Sequence, residues 1–443
     1  MAISGLHHRE DSGELTETPS STNKRAMALV TTLFFMWGFL TVLNDILIPH
    51  LKAIFALSYA EVMLVQLSFF SAYFIFSLPS GILVERVGYK KTMVVGLCTM
   101  GLGGLLFLPA ASIPSFPLFL TALIVLAAGM TALQVSANPY IAVLGPPRTA
   151  SSRLNLAQAF NSLGTTIAPF LGSHLILTGA AEISSGRHSV PEATLHAYRL
   201  REAASVKLPY LGFAGILFVL ALVIALSHLP DTKGFTEKRG AKDESGKRAI
   251  WRHRRLVLGA LAIFLYVGAE VAIGSFLVSY LTQPYIGAMG VRIAADYVSF
   301  YWGGAMIGRF LGSALLQKVG TAKVLGIAGV LACLLVAASM MSSGPSAVWS
   351  ILLVGLFNSV MFPSIFTMSI EGLGPLTGEG SGLLIAACVG GAVIPELQGV
   401  LADHIGIHHA FLLPWSCYLY IIYFAYFAFK HPAKTLEGIH QPS

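Results

Sequence analysis

Two carboxylates stand in stretches of sequence that are otherwise apolar. Asp45 follows Asn44 in TTLFFMWGFLTVLNDILIPH, with Thr41 one helical turn earlier on the same face. Glu270 lies inside LAIFLYVGAEVAIGSFLVSYL, one turn after Tyr266. An ionisable group deep in hydrocarbon costs roughly 2.5 to 3.5 kcal/mol on insertion scales, so each is expected to face a cavity, a partner or an ion. Capping of a helix end near Pro49 is the alternative for Asp45. No helix end is near Glu270, so binding of a cation or of ligand hydroxyls is expected there, against a structural hydrogen bond between helices. Glu396, directly after Pro395 in CVGGAVIPELQGVLAD, reads equally as functional or structural.

The other polar residues in apolar runs are mostly amides. One run holds Gln134, Ser136 and Asn138 before Pro139, a second holds Asn155, Gln158 and Asn161 at three-residue steps, and a third holds Asn358. A lone amide can simply bond across helices at about 0.6 kcal/mol. Together with the carboxylates they donate to and accept from hydroxyls, and Trp37, Tyr73, Tyr266, Tyr280 and Trp302 offer flat faces to C–H groups. That chemistry suits a neutral polyhydroxyl ligand. A phosphate or carboxylate ligand would call for buried cations, and Arg309 alone qualifies; its place beside Gly304, Gly308 and Gly312 assigns it to structure. Enzyme chemistry finds no support: the 13 histidines form no H-E-x-x-H pair, and neither a Walker-type phosphate loop nor a G-x-S-x-G elbow occurs. No cofactor and no transition metal is expected.

The elements that position these residues follow from composition. The chain has 443 residues, 55% of them hydrophobic and 11% charged, with a mean hydropathy of +0.73. Average soluble domains carry about 25% charge, so a water-soluble globule is excluded. Each membrane-spanning helix needs about 20 apolar residues. Apolar runs delimit twelve spans: 26–48, 60–84, 92–111, 116–144, 154–178, 208–229, 256–283, 294–317, 322–342, 346–370, 380–402 and 408–429. Pro49, Pro79, Pro109, Pro139, Pro169, Pro363 and Pro395 fall within or at the ends of these runs, where helices can kink or break. Cys98, Cys333, Cys388 and Cys417 all lie in apolar runs and behave as small hydrophobes.

The polar, strongly basic stretch 230–255 divides the chain into two six-span halves, 26–229 and 256–430, with tails 1–25 and 431–443. With both termini and this linker cytoplasmic, Lys52, Arg187, Arg199, Arg201, Lys207 and Arg292 are the basic residues left on the far side, Arg309 lies within a span, and the remainder of the 28 fall inside. The formal charge of +7 is therefore loop charge at a lipid bilayer, and no nucleic-acid partner is implied. The loop after span two, with Gly81, Glu85, Arg86, Gly88 and Lys90, is echoed after span eight by Gly312, Gln317, Lys318 and Gly320, a gating-loop motif repeated in each half. Two such halves related by an axis along the membrane normal are the arrangement of major facilitator transporters, whose ligand site lies between the halves near the midplane. The Gly304, Gly308 and Gly312 ladder predicts tight packing of span eight on a neighbour. A monomer in a bacterial-type inner membrane is expected.

Long motifs in both halves carry a resemblance. WGFLTVLNDILIPHLK (37–52), LVQLSFFSAYFIFSLPSGILVERVGYKK (64–91), ALQVSANPYIAVLGPP (132–147), RLNLAQAFNSLGTTIAP (153–169), YVGAEVAIGSFLVSYL (266–281), GRFLGS (308–313), MFPSIFTMSIEGLG (361–374) and GSGLLIAACVGGAVIPELQGVLAD (380–403) resemble the fucose:proton symporter family of the major facilitator superfamily. The resemblance implies a twelve-helix sugar symporter working by alternating access, with the family's span-one carboxylate falling on Asp45 and its cavity amides on Gln158 and Asn161. Span four departs from the fucose pattern L-E-T-A-A-N-P, reading Leu133-Gln134-Val135-Ser136-Ala137-Asn138-Pro139. Gln134 and the Y-V-G-A-E of Glu270 look like the glucose/galactose transporter branch, which includes sodium-dependent members. A proton mechanism needs a titrating carboxylate, Asp45 or Glu270. A sodium mechanism needs oxygen ligands, which Asp45 with Thr41, Asn44 or Gln134 could supply. The exchange of Glu for Gln134 tilts the expectation towards Na⁺ over H⁺ as the ion moving with a hexose. A proton-coupled fucose-type symporter, a passive uniporter and a non-transporting sugar sensor are the alternatives.

Overall fold

With no water in the bilayer core to satisfy peptide groups, apolar runs of this length must close their hydrogen bonds internally, and they do so as helices. The structure, a computed structural model, describes residues 22–55, 59–113, 115–176, 206–230 and 249–432. The first half holds α1 (Lys24–Phe55), α2 (Tyr59–Val87), α3 (Tyr89–Ser112), α4 (Phe116–Val143), α5 (Ala150–Ile176) and α6 (Lys207–Leu226). The second holds α7 (Arg254–Leu281), α8 (Val291–Leu315), α9 (Thr321–Met341), α10 (Gly344–Asn358, continued by Met361–Ile370), α11 (Thr377–Ala386, continued by Gly390–Ile405) and α12 (Leu412–Lys430). Among the described residues, nine stretches are long and apolar enough to cross a membrane; α1, α5 and α8 are helices of 32, 27 and 25 residues. Each of the twelve predicted spans coincides with one helix or one broken helix. Most of the linker, 231–248, lies outside the described residues, as do 1–21 and 433–443.

The prolines act unequally. Helices α2, α3 and α4 run unbroken through Pro79, Pro109 and Pro139. Helix α10 breaks at Ser359 and Val360, within the turn whose carbonyl would clash with the Pro363 ring. Helix α11 tightens into a 3-10 turn at Ala387–Val389, just before Gly390 and Gly391 and one to two turns ahead of Pro395.

Helix pairing repeats between the halves. In the first, α1 packs on α5, α2 on α4, and α3 on both α4 and α6; in the second, α7 packs on α11, α8 on α10, and α9 on both α10 and α12. The same shift of six helices exchanges the two main contacts between halves, α5 with α8 and α11 with α2. A pseudo-two-fold relation follows from the pairing alone. Glycines make the close crossings possible: a Cβ on Gly38 would strike Asn161, one on Gly164 the Phe35 carbonyl, one on Gly268 Ile394, and one on Gly390 the Phe264 carbonyl. The predicted ladder on α8 meets α10, with Gly304 and Gly308 against Leu356 and Gly312 against Val360.

Candidate functional site between the two halves

The halves are tied together along α5 and α11, from the end that carries the basic loops to about mid-helix. Ser151 Oγ lies 3.0 Å from Thr321 Oγ1 and 2.6 Å from Thr367 Oγ1; Ser152 Oγ donates to the Ser313 carbonyl at 2.6 Å, and Ser313 Oγ returns a bond to the Ser152 carbonyl at 3.0 Å. Asn155 Nδ2 donates to the Arg309 carbonyl at 2.6 Å, and Ser381 Oγ to the Val135 carbonyl at 3.0 Å. Hydroxyls, amides and carbonyls form this seam.

The loop motif closes the same end. A Cβ on Gly81 would sit 2.6 Å from the Gly378 carbonyl, and one on Gly382 2.8 Å from the Ser77 carbonyl, so α2 and α11 meet backbone to backbone. Glu85 accepts the Glu379 backbone N–H at 3.3 Å, setting a carboxylate from one half at the positive end of a helix in the other. Gly88, at φ 86°, occupies the left-handed region that lets the chain turn from α2 into α3. Lys90 Nζ donates to the Ser227 carbonyl at 2.8 Å, past the end of α6, and Arg86 is exposed. The echoed loop carries Gln317 where Glu85 stands, so the helix-end charge contact belongs to the first half.

Sequence reasoning missed Arg153. Its guanidinium is 5% exposed and donates to the carbonyls of Ile141, Ala142, Gly145 and Pro146 and to Thr149 Oγ1, binding the end of α4 to the start of α5. Nothing in its sequence setting separates it from an ordinary loop cation.

Around mid-helix the candidate residues part into two sets. Asn358 is a fully buried hub: its Nδ2 donates to Tyr301 Oη at 2.8 Å, its Oδ1 accepts from Tyr418 Oη at 2.8 Å, and its carbonyl accepts from Tyr266 Oη at 3.0 Å. Tyr301 Oη in turn donates to the Glu270 carbonyl at 3.3 Å. Asn358 and Tyr266 thus join α7, α8, α10 and α12, with Tyr301 and Tyr418 as partners that the sequence did not single out. Asn161 Nδ2 donates to the Phe34 carbonyl of α1 at 2.9 Å. Gln134 Nε2 donates to Tyr73 Oη, and Thr41 Oγ1 donates to the Trp37 carbonyl at 2.9 Å with Met130 Sδ at 3.4 Å. Asn44 and Asp45 lie on α1, and their side chains are outside the described residues.

The second set has spare bonding capacity. Gln158, 5% exposed, forms no side-chain hydrogen bond among the described residues. Glu270 Oε1 and both amide atoms of Asn138 are buried without a partner. Arg309 connects Gln158 with Glu270: its Nη1 reaches Ser162 Oγ and the Gln158 carbonyl on α5, and its charge lies within electrostatic range of the Glu270 carboxylate on α7. The guanidinium thus bonds the backbone of Gln158 and the hydroxyl of Ser162 in one half and lies near a carboxylate of the other, which shares one hydrogen bond with Tyr266 and keeps Oε1 without a partner. Trp302, 45% exposed, stands edge-on to Tyr301 and against Gly274. Glu396 is exposed on the second segment of α11.

Residues 27–395 match the Major Facilitator Superfamily. The chain belongs to that superfamily. It is 50% identical over 410 residues to the glucose/galactose transporter of Brucella abortus, covering 92% of this chain and 95% of that one. Over 406 residues it is 36% identical to the L-fucose-proton symporter of Escherichia coli, covering 90% and 92%. A crystal structure of the transporter FucP in the outward conformation superposes with a TM-score of 0.85 at 34% identity, over 90% of this chain and 98% of that one. The resemblance read from the motifs thus extends over nine-tenths of the chain, and the molecule is a membrane-spanning transporter with two pseudo-symmetric six-helix bundles.

Proposed function

We propose that the protein is a cation-coupled symporter of a neutral hexose, of the glucose or galactose type, working by alternating access. The observation that supports this reading is the bonding capacity left spare in both halves: the Gln158 side chain and both amide atoms of Asn138 in the first and Glu270 Oε1 in the second are groups that bond hydroxyls, while Arg309, near Glu270, is already engaged by α5. Trp302, with Asn138, Asn161 and Gln134 deeper in the first half, extends the proposed hexose site; Tyr266 and Asn358 build its wall. The relatives named glucose/galactose transporter and L-fucose-proton symporter bear on the substrate class.

The expected preference for Na⁺ finds no support. The relatives whose names state an ion are proton symporters. A proton carried at Glu270 or Asp45 is the better reading. The seam at the basic-loop end, placed in the cytoplasm with both termini by the charge bias, makes the described conformation closed to the cytoplasm. Likeness to a structure in the outward conformation agrees. A bacterial-type inner membrane follows for its location.

Hexose counterflow in proteoliposomes, with and without imposed ion gradients, tests the proposal. Exchange of preloaded glucose or galactose without a gradient is expected, together with uphill uptake under a pH gradient, inside alkaline, in sodium-free buffer. Absence of counterflow with every aldohexose would overturn the substrate class. Uphill uptake only when sodium is supplied would restore the sodium mechanism, and gradient-independent uptake would make the protein a uniporter.

A further inference from the structure

Two buried groups of opposite charge lie within reach of each other without a direct bond between them. Arg309 Nε is a buried donor with no acceptor, and Glu270 Oε1 is a buried acceptor with no donor. A buried group left unpaired costs about 1–3 kcal/mol, more when charged, so the fold sustains a pair of costs that a direct Arg309–Glu270 bond would relieve. The guanidinium is held off by α5, whose Ser162 Oγ and Gln158 carbonyl both receive Nη1, while Asn155 bonds back to the Arg309 carbonyl.

These contacts belong to different halves. Glu270 on α7 and Arg309 on α8 share one bundle; Ser162, Gln158 and Asn155 ride on α5 of the other. When the bundles part along the α5–α8 seam, Arg309 loses its acceptors on α5 and keeps its nearness to Glu270. Among the described residues, the titratable groups facing Glu270 besides Arg309 are Tyr266 on its own helix, which hydrogen-bonds the carboxylate, Tyr301 on α8, Tyr418 on α12 and Cys388 on α11, so Arg309 is the described cation that answers its charge. An ionised Glu270 draws Arg309 from α5; a Glu270 neutralised by a bound proton or cation leaves it there.

We infer that Arg309 is a positioning residue that exchanges Ser162 and Gln158 for Glu270, so that the charge state of Glu270 sets whether the α5–α8 seam is closed. The inference deepens the symport reading and rests on it for its role in coupling. Its test uses neither sugar nor a gradient, and so fails separately from a failure of hexose counterflow.

Spin labels at Lys91→Cys and Lys318→Cys, on the two halves at the basic-loop end, report closure as a distance distribution in the full chain, with the four native cysteines replaced, in lipid nanodiscs. Glu270→Gln is expected to raise the closed-to-open ratio by about five-fold, the ratio for one hydrogen bond of about 1 kcal/mol. Arg309→Gln is expected to lower it, and in that background Glu270→Gln should have no further effect. Arg309→Lys, which keeps the charge, should retain the response to Glu270→Gln. An equal response to Glu270→Gln with and without Arg309 would overturn the exchange. Should Arg309→Gln fail to fold, Ser162→Ala decides: it should lower the closed fraction while preserving the Glu270→Gln response, and an unchanged closed fraction would overturn the inference.

Discussion

Replacing Asn358 by alanine separates building a site from contacting its ligand. The substitution deletes the acceptor for Tyr418 Oη and the donor to Tyr301 Oη, both at 2.8 Å and all three side chains buried. Tyr301 keeps its bond to the Glu270 carbonyl, so the orphaned donor is that of Tyr418, and the Tyr266 bond survives because it ends on the Asn358 backbone. One buried hydroxyl stripped of its partner costs about 1–3 kcal/mol, and the small void left by the amide adds to it, giving an expected loss of about 2–4 kcal/mol. Tyr418→Phe on its own should destabilise by a similar route, leaving Asn358 Oδ1 unpaired. The double variant should then lose at least about 0.5 kcal/mol less than the two singles together. Unfolding in detergent, followed by intrinsic fluorescence against denaturant, gives the stabilities, and equilibrium binding of labelled hexose gives the affinities. Weakened hexose binding at unchanged stability, or strict additivity of the two substitutions, would refute the assignment of Asn358 to the wall.

Gln158→Ala should show the reverse pattern, with hexose binding weakened by about 1–3 kcal/mol and the unfolding midpoint nearly unchanged, since no described residue bonds its side chain. A Gly81→Leu side chain cannot fit against the Gly378 carbonyl, so cysteine reagents applied from the basic-loop side should label positions in the α2–α11 seam faster than in the parent protein. Removing the charge at the helix end by Glu85→Gln should shift the seam in the same direction more weakly, by about 0.3–1 kcal/mol in closed-to-open free energy, read from the same labelling rates. Single cysteines at Lys318 and Pro284, in loops at opposite ends of α8, should label from opposite faces of intact cells, with Lys318→Cys reached only from the cytoplasm; labelling of Lys318→Cys from outside would invert the topology.

The spans were legible because hydropathy and length act on every residue of a crossing helix, so twelve runs became twelve helices even where proline bends them. The α8 ladder was legible for a related reason: three glycines at four-residue steps can only serve close approach, and Leu356, Ser359 and Val360 fill that space. The role of an amide was not legible. Asn358, Asn161 and Gln158 occupy similar apolar settings, yet two bond neighbouring helices and the third is unused, and only the rotation of each helix about its axis decides which. Periodicity cannot supply that rotation where all faces of a span are apolar. Arg309 illustrates the same limit. Its place beside the glycines suggested packing, and its guanidinium does bond α5, but nothing in the sequence set it near Glu270.

The seam of Ser151, Ser152, Asn155, Ser313, Thr321, Thr367 and Ser381 carries no formal charge in its side-chain bonds, and this bears on how its opening responds to the surroundings. Hydroxyls and amides that separate find water as a nearly equivalent partner, so each broken contact changes the free energy by only about 0.5–1.5 kcal/mol. Dissolved ions screen such contacts hardly at all, in contrast to paired carboxylates and amines at a surface. These uncharged contacts therefore break at a similar cost in dilute and in salty media, so that salt acts on the closure through Arg309 and Glu85 alone among the described contacts, and the balance can be tipped by the binding energy of one small molecule.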